Sequence, residues 1–311
     1  MLGPVLFSLY TSPLRHIIEM YNIQHHRYAD DLQLYTVFDP KDDASVANAI
    51  DRLQSCIKHI SVWMSHHSLK LNHDKTELVN ILSPYHYRKF GVHSIVVEGI
   101  VINPKPSVKS LGVVIDRHLS MSDHVSSIVQ SCNFSLRNIS KIRPFITDDA
   151  CKSIVQNTII SRIDYCSSLL FGVCASQIMR LQRIQNRAAR MITRSSVSSH
   201  ITPILYNLHW LPCSFRIQFR ILTFVFKCLN DLAPSYFRSL ISLFRPARHL
   251  RSSNDDTILQ TSITKKSVGQ QGFSFVGSLW NKLPTAIRMS PSISSFKRRL
   301  KTYFFTKHYV P

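Results

Sequence analysis

Arg27-Tyr28-Ala29-Asp30-Asp31-Leu32-Gln33-Leu34-Tyr35 sets two adjacent carboxylates between short apolar and aromatic runs. The pattern predicts a strand, a tight turn carrying Asp30 and Asp31, and a second strand. Side-by-side like charges repel unless water or a cation compensates them, and turn acids ordinarily settle for water. The surroundings favour a cation here: an aromatic precedes the acids, apolar strand residues would bury the hairpin's base, and the chain is strongly basic. Two carboxylates at the tip of such a hairpin suit hard divalent cations, and a pair of Mg²⁺ ions about 3.5–4 Å apart clamps an in-line phosphoryl transfer.

The 311 residues suffice for two domains, or for one large domain with an appendage. Hydrophobic residues at 44% allow a substantial core and exclude wholesale disorder. Lys and Arg number 38 against 18 Asp and Glu, a formal charge of +20. Such self-repulsion calls for a polyanionic partner, nucleic acid before membrane. No apolar run approaches the roughly 20 residues of a membrane span. Leu2 to Tyr10 imitates a signal-peptide core, but Pro4 interrupts it and no small-residue cleavage site follows, which argues against secretion. The seven cysteines are scattered, odd in number and without a pair at zinc spacing, so free thiols in a reducing compartment are expected, and no zinc.

Tyr28-Ala29-Asp30-Asp31 fits in full the active-site box of the reverse transcriptases of non-LTR (LINE-type) retrotransposons, and the chain resembles that family in further motifs met in the same order. Leu69-Lys70-Leu71-Asn72-His73-Asp74-Lys75-Thr76-Glu77 resembles its Lys-Thr-Glu motif. The resemblance implies that Lys75, with Tyr28, lies near the incoming nucleotide, a role suited to a mobile ammonium; a solvated loop lysine is the alternative. Val108 to Asp116 reads as one strand with Leu111, Val113 and Ile115 on one face, and it resembles the primer grip, with Leu111 and Gly112 against the primer's 3′ end. A glycine in a strand equally marks a bulge.

Around these motifs the periodicity is clear. Leu6, Phe7, Leu9, Tyr10 and Leu14 have helical spacing behind Pro4. Asp39-Pro40-Lys41-Asp42-Asp43 reads as a helix start, its acids as caps before metal ligands, and Val46, Ile50, Leu53, Ile57, Ile60 and Met64 form a buried stripe. His25-His26 and His66-His67 read as surface pairs. Ile95 to Ile102 is a hairpin turning at Glu98-Gly99. From Met121 the pattern is helical, with Val125, Ile128, Val129, Cys132, Leu136 and Ile139 on one face, a stop at Pro144 and a new start at Asp148-Asp149. Arg180, Arg183, Arg187, Arg190 and Arg194 share one face of a helix whose other side carries Leu181, Ile184, Ala188 and Ile192. With no interleaved acid to pair them, a phosphate-backbone contact is favoured over a merely solvated face. Arg245 to Asp256 reads as a mobile basic linker, Trp210 and Trp280 as core rather than base-stacking groups, and Ile293, Phe296, Leu300 and Tyr303 as one face of a last helix.

The expected fold is therefore α+β: a partial right-hand polymerase palm of antiparallel sheet and helices over 1–120, an all-α thumb over 121–199, and a mostly helical nucleic-acid-binding region over 200–311. The resemblance, to jockey-like or chicken-repeat elements, implies extension of a DNA primer on an RNA template with deoxynucleoside triphosphates and Mg²⁺. Asp30 and Asp31 would be both catalytic and metal-binding, and the protein nuclear and/or cytoplasmic. Met1 stands where the middle of a family motif would be, so the chain reads as a C-terminal half, truncated before the fingers and the first catalytic aspartate and inactive by itself. The alternative is a catalytically silent remnant that binds RNA or DNA without sequence preference.

Overall fold

A computed structural model describes residues 2–244, 257–261 and 272–309. The linker expected over Arg245 to Asp256 lies outside the described residues. Contacts divide the chain into two compact units, Met1–Leu119 and Ser120–Pro311.

The first unit mixes helices with short antiparallel hairpins. Helix α1 (Gly3–Tyr10) carries Pro4 in its first turn, where a missing N–H is harmless. The apolar spacing that predicted a helix as far as Leu14 is interrupted, because Pro13 cannot donate to the preceding turn and instead starts α2 (Leu14–Met20). Helix α3 (Asp43–His66) opens on Asp42, whose carboxylate accepts the Ala44 N–H at 3.0 Å, so the acids there do cap. Its Cys56 and Ile60 pack with Leu14, Ile17, Ile18 and Ile23, while Ile57 packs with Ile95, Val97 and Ile102. Helix α4 (Pro84–Phe90) is capped by Ser83.

Six strands pair two by two: β1 (Gln24–Tyr28) with β2 (Asp31–Tyr35), β3 (Ile95–Val97) with β4 (Ile100–Ile102), and β5 (Ser107–Ser110) with β6 (Val113–Asp116). They form three separate two-stranded sheets, not one continuous sheet. Glu98 and Gly99 turn the second hairpin with φ of 50° and 81°, both left-handed as a type I′ turn requires. The stretch Val108 to Asp116 is not one strand. Leu111 and Gly112, at φ 45° and 82°, reverse the chain between Ser110 and Val113 in the same way.

The second unit is helical. Helix α5 (Ser122–Ile142) buries Val125, Ile128, Cys132, Leu136 and Ile139. Helix α6 (Asp148–Val155) runs through a π turn at Gln156–Ile160 into α7 (Ser161–Asp164). Helix α8 (Ala175–Thr193) buries Leu181, Ile184, Ala188 and Ile192, as its spacing predicted. At its end sits Arg143, whose side chain is 10% exposed and donates to the carbonyls of Met191 (2.8 Å), Ile192 (2.7 Å) and Ile146 (2.9 Å), besides pairing with Asp148. A cation there satisfies orphan carbonyls at the negative end of the helix dipole.

Among the described residues, helices α9 (Ile201–Asn207), α10 (Cys213–Leu229), α11 (Ser235–Arg238), α12 (Gly277–Asn281), α13 (Thr285–Arg288) and α14 (Ile293–Tyr309) follow in the same unit. Their shared core joins Leu222, Phe226, Trp280, Phe296, Leu300 and Phe304, with Phe226 stacked on Phe296 at 4.4 Å. Trp210 and Trp280 are both buried, and the Trp280 indole N–H donates to Thr257 O at 2.7 Å, so both are packing residues. The cysteines of the chain are all free thiols. Burial pushes the Cys213 thiol up to about 12 and those of Cys56 and Cys132 to about 11, which leaves them unreactive.

Candidate functional site

The carboxylate hairpin is tighter than the sequence suggested. Tyr28 pairs with Asp31, so the loop is only Ala29-Asp30 and Asp31 opens β2. Ala29 takes φ 52°, a left-handed position that two-residue hairpin loops impose and that disfavours an alanine by about 1–2 kcal/mol. Tyr28 is 68% exposed, Asp30 and Asp31 are exposed beside it, and among the described residues neither carboxylate has a hydrogen-bonding or ionic partner.

The base of the hairpin is held from three directions. Leu32 and Leu34 of β2 pack on the core around Ile18, Cys56 and Ile60. Arg27 of β1 donates to the Thr11 carbonyl and, at 3.3 Å, to the Ser8 carbonyl, placing its charge on the C-terminal end of α1. Gln33 of β2 donates to the Ser110 hydroxyl, at the end of β5 and next to the Leu111-Gly112 turn. That bond brings the expected primer-grip turn beside the carboxylate hairpin. Arg27 and Gln33 were not singled out from the sequence, because each acts through a partner 16 or 77 positions away.

Lys75 lies exposed at the end of a 3₁₀ turn, His73–Lys75. The Asn72 side chain accepts from its N–H at 3.2 Å, and His73 Nε2 lies 2.7 Å from Glu98 Oε2. Glu98 is anchored in turn by the Ser61 hydroxyl of α3, which, ahead of His73, holds its carboxyl below the usual range. Lys75 is thus a free ammonium on a pinned turn, and no contact joins it to Asp30 or Asp31 among the described residues.

Exposed, unpaired carboxylate oxygens have the right donor chemistry for Mg²⁺, which takes oxygen ligands, keeps several waters and is often held by one or two carboxylates plus substrate phosphates. Among the described residues no group of three His, Cys, Asp or Glu side chains comes together to hold a metal ion. The pair therefore fits part of a metal site, a weak one.

Residues 1–115 match the family model described as reverse transcriptase (RNA-dependent DNA polymerase), so both the hairpin and the Leu111-Gly112 turn fall inside the match. The chain is also similar to two polymerases of Drosophila melanogaster mobile elements. It is 25% identical over 204 residues to the probable RNA-directed DNA polymerase from transposon BS, and 23% identical over 201 residues to the RNA-directed DNA polymerase from mobile element jockey. The likeness to the polymerases of mobile elements thus rests on residues 1–115 and on these two relatives. Each alignment covers 62% of this chain but 21% of the relative's length. No solved structure matches it.

Beyond the family match, the five arginines of α8 do not form one uniform face. Arg180 is half-buried and donates to Gln177 (2.7 Å) and to Ser126 of α5 (3.0 Å), and Arg190 is half-buried and donates to the Ser199 carbonyl (3.0 Å). Arg194, at φ 52°, ends the helix and lies 3.7 Å from Asp148. Arg187 is exposed and donates to Asn133 of α5 at 2.5 Å, a neutral contact that leaves its charge uncompensated. Arg183 is exposed without a partner among the described residues. The chain thus offers Arg183 and Arg187 to a ligand most openly, and uses the other three partly as struts. No described helix is long and apolar enough to cross a membrane.

Proposed function

We propose that this chain supplies the carboxylate hairpin, the primer-facing turn and a helical nucleic-acid-binding region to an RNA-templated DNA polymerase. The observation that carries the reading is the Tyr28-Ala29-Asp30-Asp31 turn: two exposed, unpaired carboxylates on a hairpin anchored at its base. In this reading the first unit is part of the palm, the helices from 121 to 199 are the thumb, and 200–311 bind nucleic acid. Asp30 and Asp31 would hold Mg²⁺, which when bound neutralises charge on the attacking and leaving oxygens. Tyr28 would lie against the incoming deoxynucleoside triphosphate, and Lys75 would donate to its phosphates. Backbone at Leu111-Gly112 would meet the primer's 3′ end, because a glycine lets another chain approach closely. An RNA template and a DNA primer are the substrates, and the nucleus and/or the cytoplasm is the place of action.

A cation held by only two carboxylates binds weakly, so residues 1–311 by themselves do not extend a primer. Two measurements test this. Mn²⁺ used as a paramagnetic probe should broaden the amide signals of Tyr28 to Gln33 at millimolar concentration, and Asp30→Asn should abolish the effect; broadening centred elsewhere would remove the metal assignment. Primer extension on an RNA template should not rise above that of Asp30→Asn, and incorporation by the unmodified chain alone would overturn the claim of inactivity.

The second reading, nucleic-acid binding without catalysis, is favoured by the charge of +20 and by the α8 arginines. Its signature is affinity untouched by Asp30→Asn and falling with salt at a log–log slope of about −3 to −4 if roughly four cations meet phosphates. A flat salt dependence would dismiss it.

A further inference from the structure

Outside the carboxylate hairpin the second unit contains a half-open cavity of about 500 Å³ between the end of α7, α10 and α14. Five cationic side chains line it, Arg216, Arg220, Lys227, Lys297 and Lys301, against a single carboxylate, Asp164. That acid is already engaged: Arg216 grips it through two bonds of 2.8 and 2.5 Å, and Arg220 reaches it at 3.3 Å. The three lysines have no acidic partner among the described residues, although two of them, Lys297 and Lys301, stand one turn apart on α14 and repel each other.

Two further features show what the cavity is shaped for. The Ser167 hydroxyl, in a residue only 2% exposed, lines the cavity and has no hydrogen-bond partner among the described residues. A buried hydroxyl without a partner is costly unless something completes it. Phe219 and Phe224 add partly exposed rings to the same wall. Unpaired cations, a hydroxyl donor and aromatic faces are the combination that binds single-stranded nucleic acid, by phosphate neutralisation with base stacking. A lipid headgroup would use the cations but not the rings, and an acidic peptide would not need a planar aromatic face. The volume lies within the range of sites that enclose one small ligand.

We infer that this cavity takes one nucleotide of a single-stranded nucleic acid, its phosphate on Lys227, Lys297, Lys301 and the Ser167 hydroxyl, its base against Phe219 and Phe224. The site is separate from the carboxylate hairpin and from the α8 arginines, and it rests on the reading that this chain binds nucleic acid.

The test is fluorescence anisotropy of a labelled twelve-nucleotide single-stranded RNA with the full chain. A triple variant, Lys227→Gln, Lys297→Gln and Lys301→Gln, should weaken binding about tenfold and lower the salt slope by about 0.7, the contribution of one phosphate neutralised on a single strand. Ser167→Ala should weaken it a few-fold, and uridine monophosphate should displace the RNA better than inorganic phosphate does. If the triple variant binds like the unmodified chain while Arg183→Gln with Arg187→Gln binds less well, the cavity assignment is wrong and the proposed function stands. If polyglutamate of equal charge displaces the RNA as well as an unlabelled strand does, the cavity is a general anion site and the nucleotide assignment falls. If the unmodified chain binds no RNA, both readings fall. Thermal unfolding of each variant separates lost binding from lost fold.

Discussion

Arg143 concentrates more structural consequence than any of the arginines read as ligand contacts. It is nearly buried, and its guanidinium fork serves carbonyls on two segments of chain, Ile146 beside it and Met191 and Ile192 at the end of α8. Removing it leaves several carbonyls without donors in a site that water reaches poorly. Arg143→Ala should therefore cost about 2–4 kcal/mol of stability, several lost charge-assisted bonds minus what water restores. Arg143→Lys should recover only part of that, because one ammonium cannot span the same fork. Urea unfolding of the three proteins measures both, and a loss under about 1 kcal/mol for the alanine variant would show that water substitutes freely. Nothing in the sequence distinguishes this arginine from Arg183, which has Arg180 and Arg187 one helical turn to either side. The difference is burial, which only the packing of α5, α6 and α8 decides.

The hairpins show where reading by element succeeds and where it stops. All three reverse through two-residue loops whose first position is a non-glycine with positive φ, namely Ala29, Glu98 and Leu111. Glu98-Gly99 was legible because a charged residue and a glycine punctuate two β-branched runs. Leu111-Gly112 was not, because the alternation of apolar residues runs through it unbroken and a leucine rarely takes a left-handed turn position. The turn should respond accordingly. Leu111→Asn, which tolerates that conformation, should stabilise the first unit by about 0.5–1 kcal/mol, and Gly112→Ala should destabilise it by about 1–2 kcal/mol. Opposite signs in chemical unfolding would mean the segment does not reverse there. The stripe expected on α3 is buried at Val46, Ile57 and Ile60 but only half-buried at Ile50, Leu53 and Met64, whereas helices α5 and α8 were legible from their stripes. The break between α1 and α2 was not, as apolar spacing continues across Pro13. The cavity of the second unit was invisible for a simpler reason: Ser167, Lys227 and Lys301 are distant in sequence and carry no motif.

At the scale of the molecule, the two units differ in how they are built. Among the described residues the second holds a continuous aromatic and aliphatic core from Leu211 to Phe304, whereas in the first Ile18 and Cys56 belong to one smaller cluster and Ile95 and Val97 to another. Residues 120–311 expressed alone should accordingly unfold cooperatively on heating, with helical circular dichroism and dispersed NMR signals. A broad, featureless melt would show that this core needs the rest of the chain. The excess of positive charge adds a second expectation, since raising salt from 50 to about 300 mM should screen self-repulsion and raise the melting temperature. The π turn at Gln156–Ile160 bears on the charge of the cavity. A π turn carries one residue more than the helix around it needs, and each residue advances a helix by about 100°. Asp164, eight residues after the turn begins, meets Arg216 in that advanced phase. Deleting one residue from this segment should therefore turn Asp164 by about 100° about the helix axis, away from Arg216, and leave the cations of the cavity without their one counter-charge.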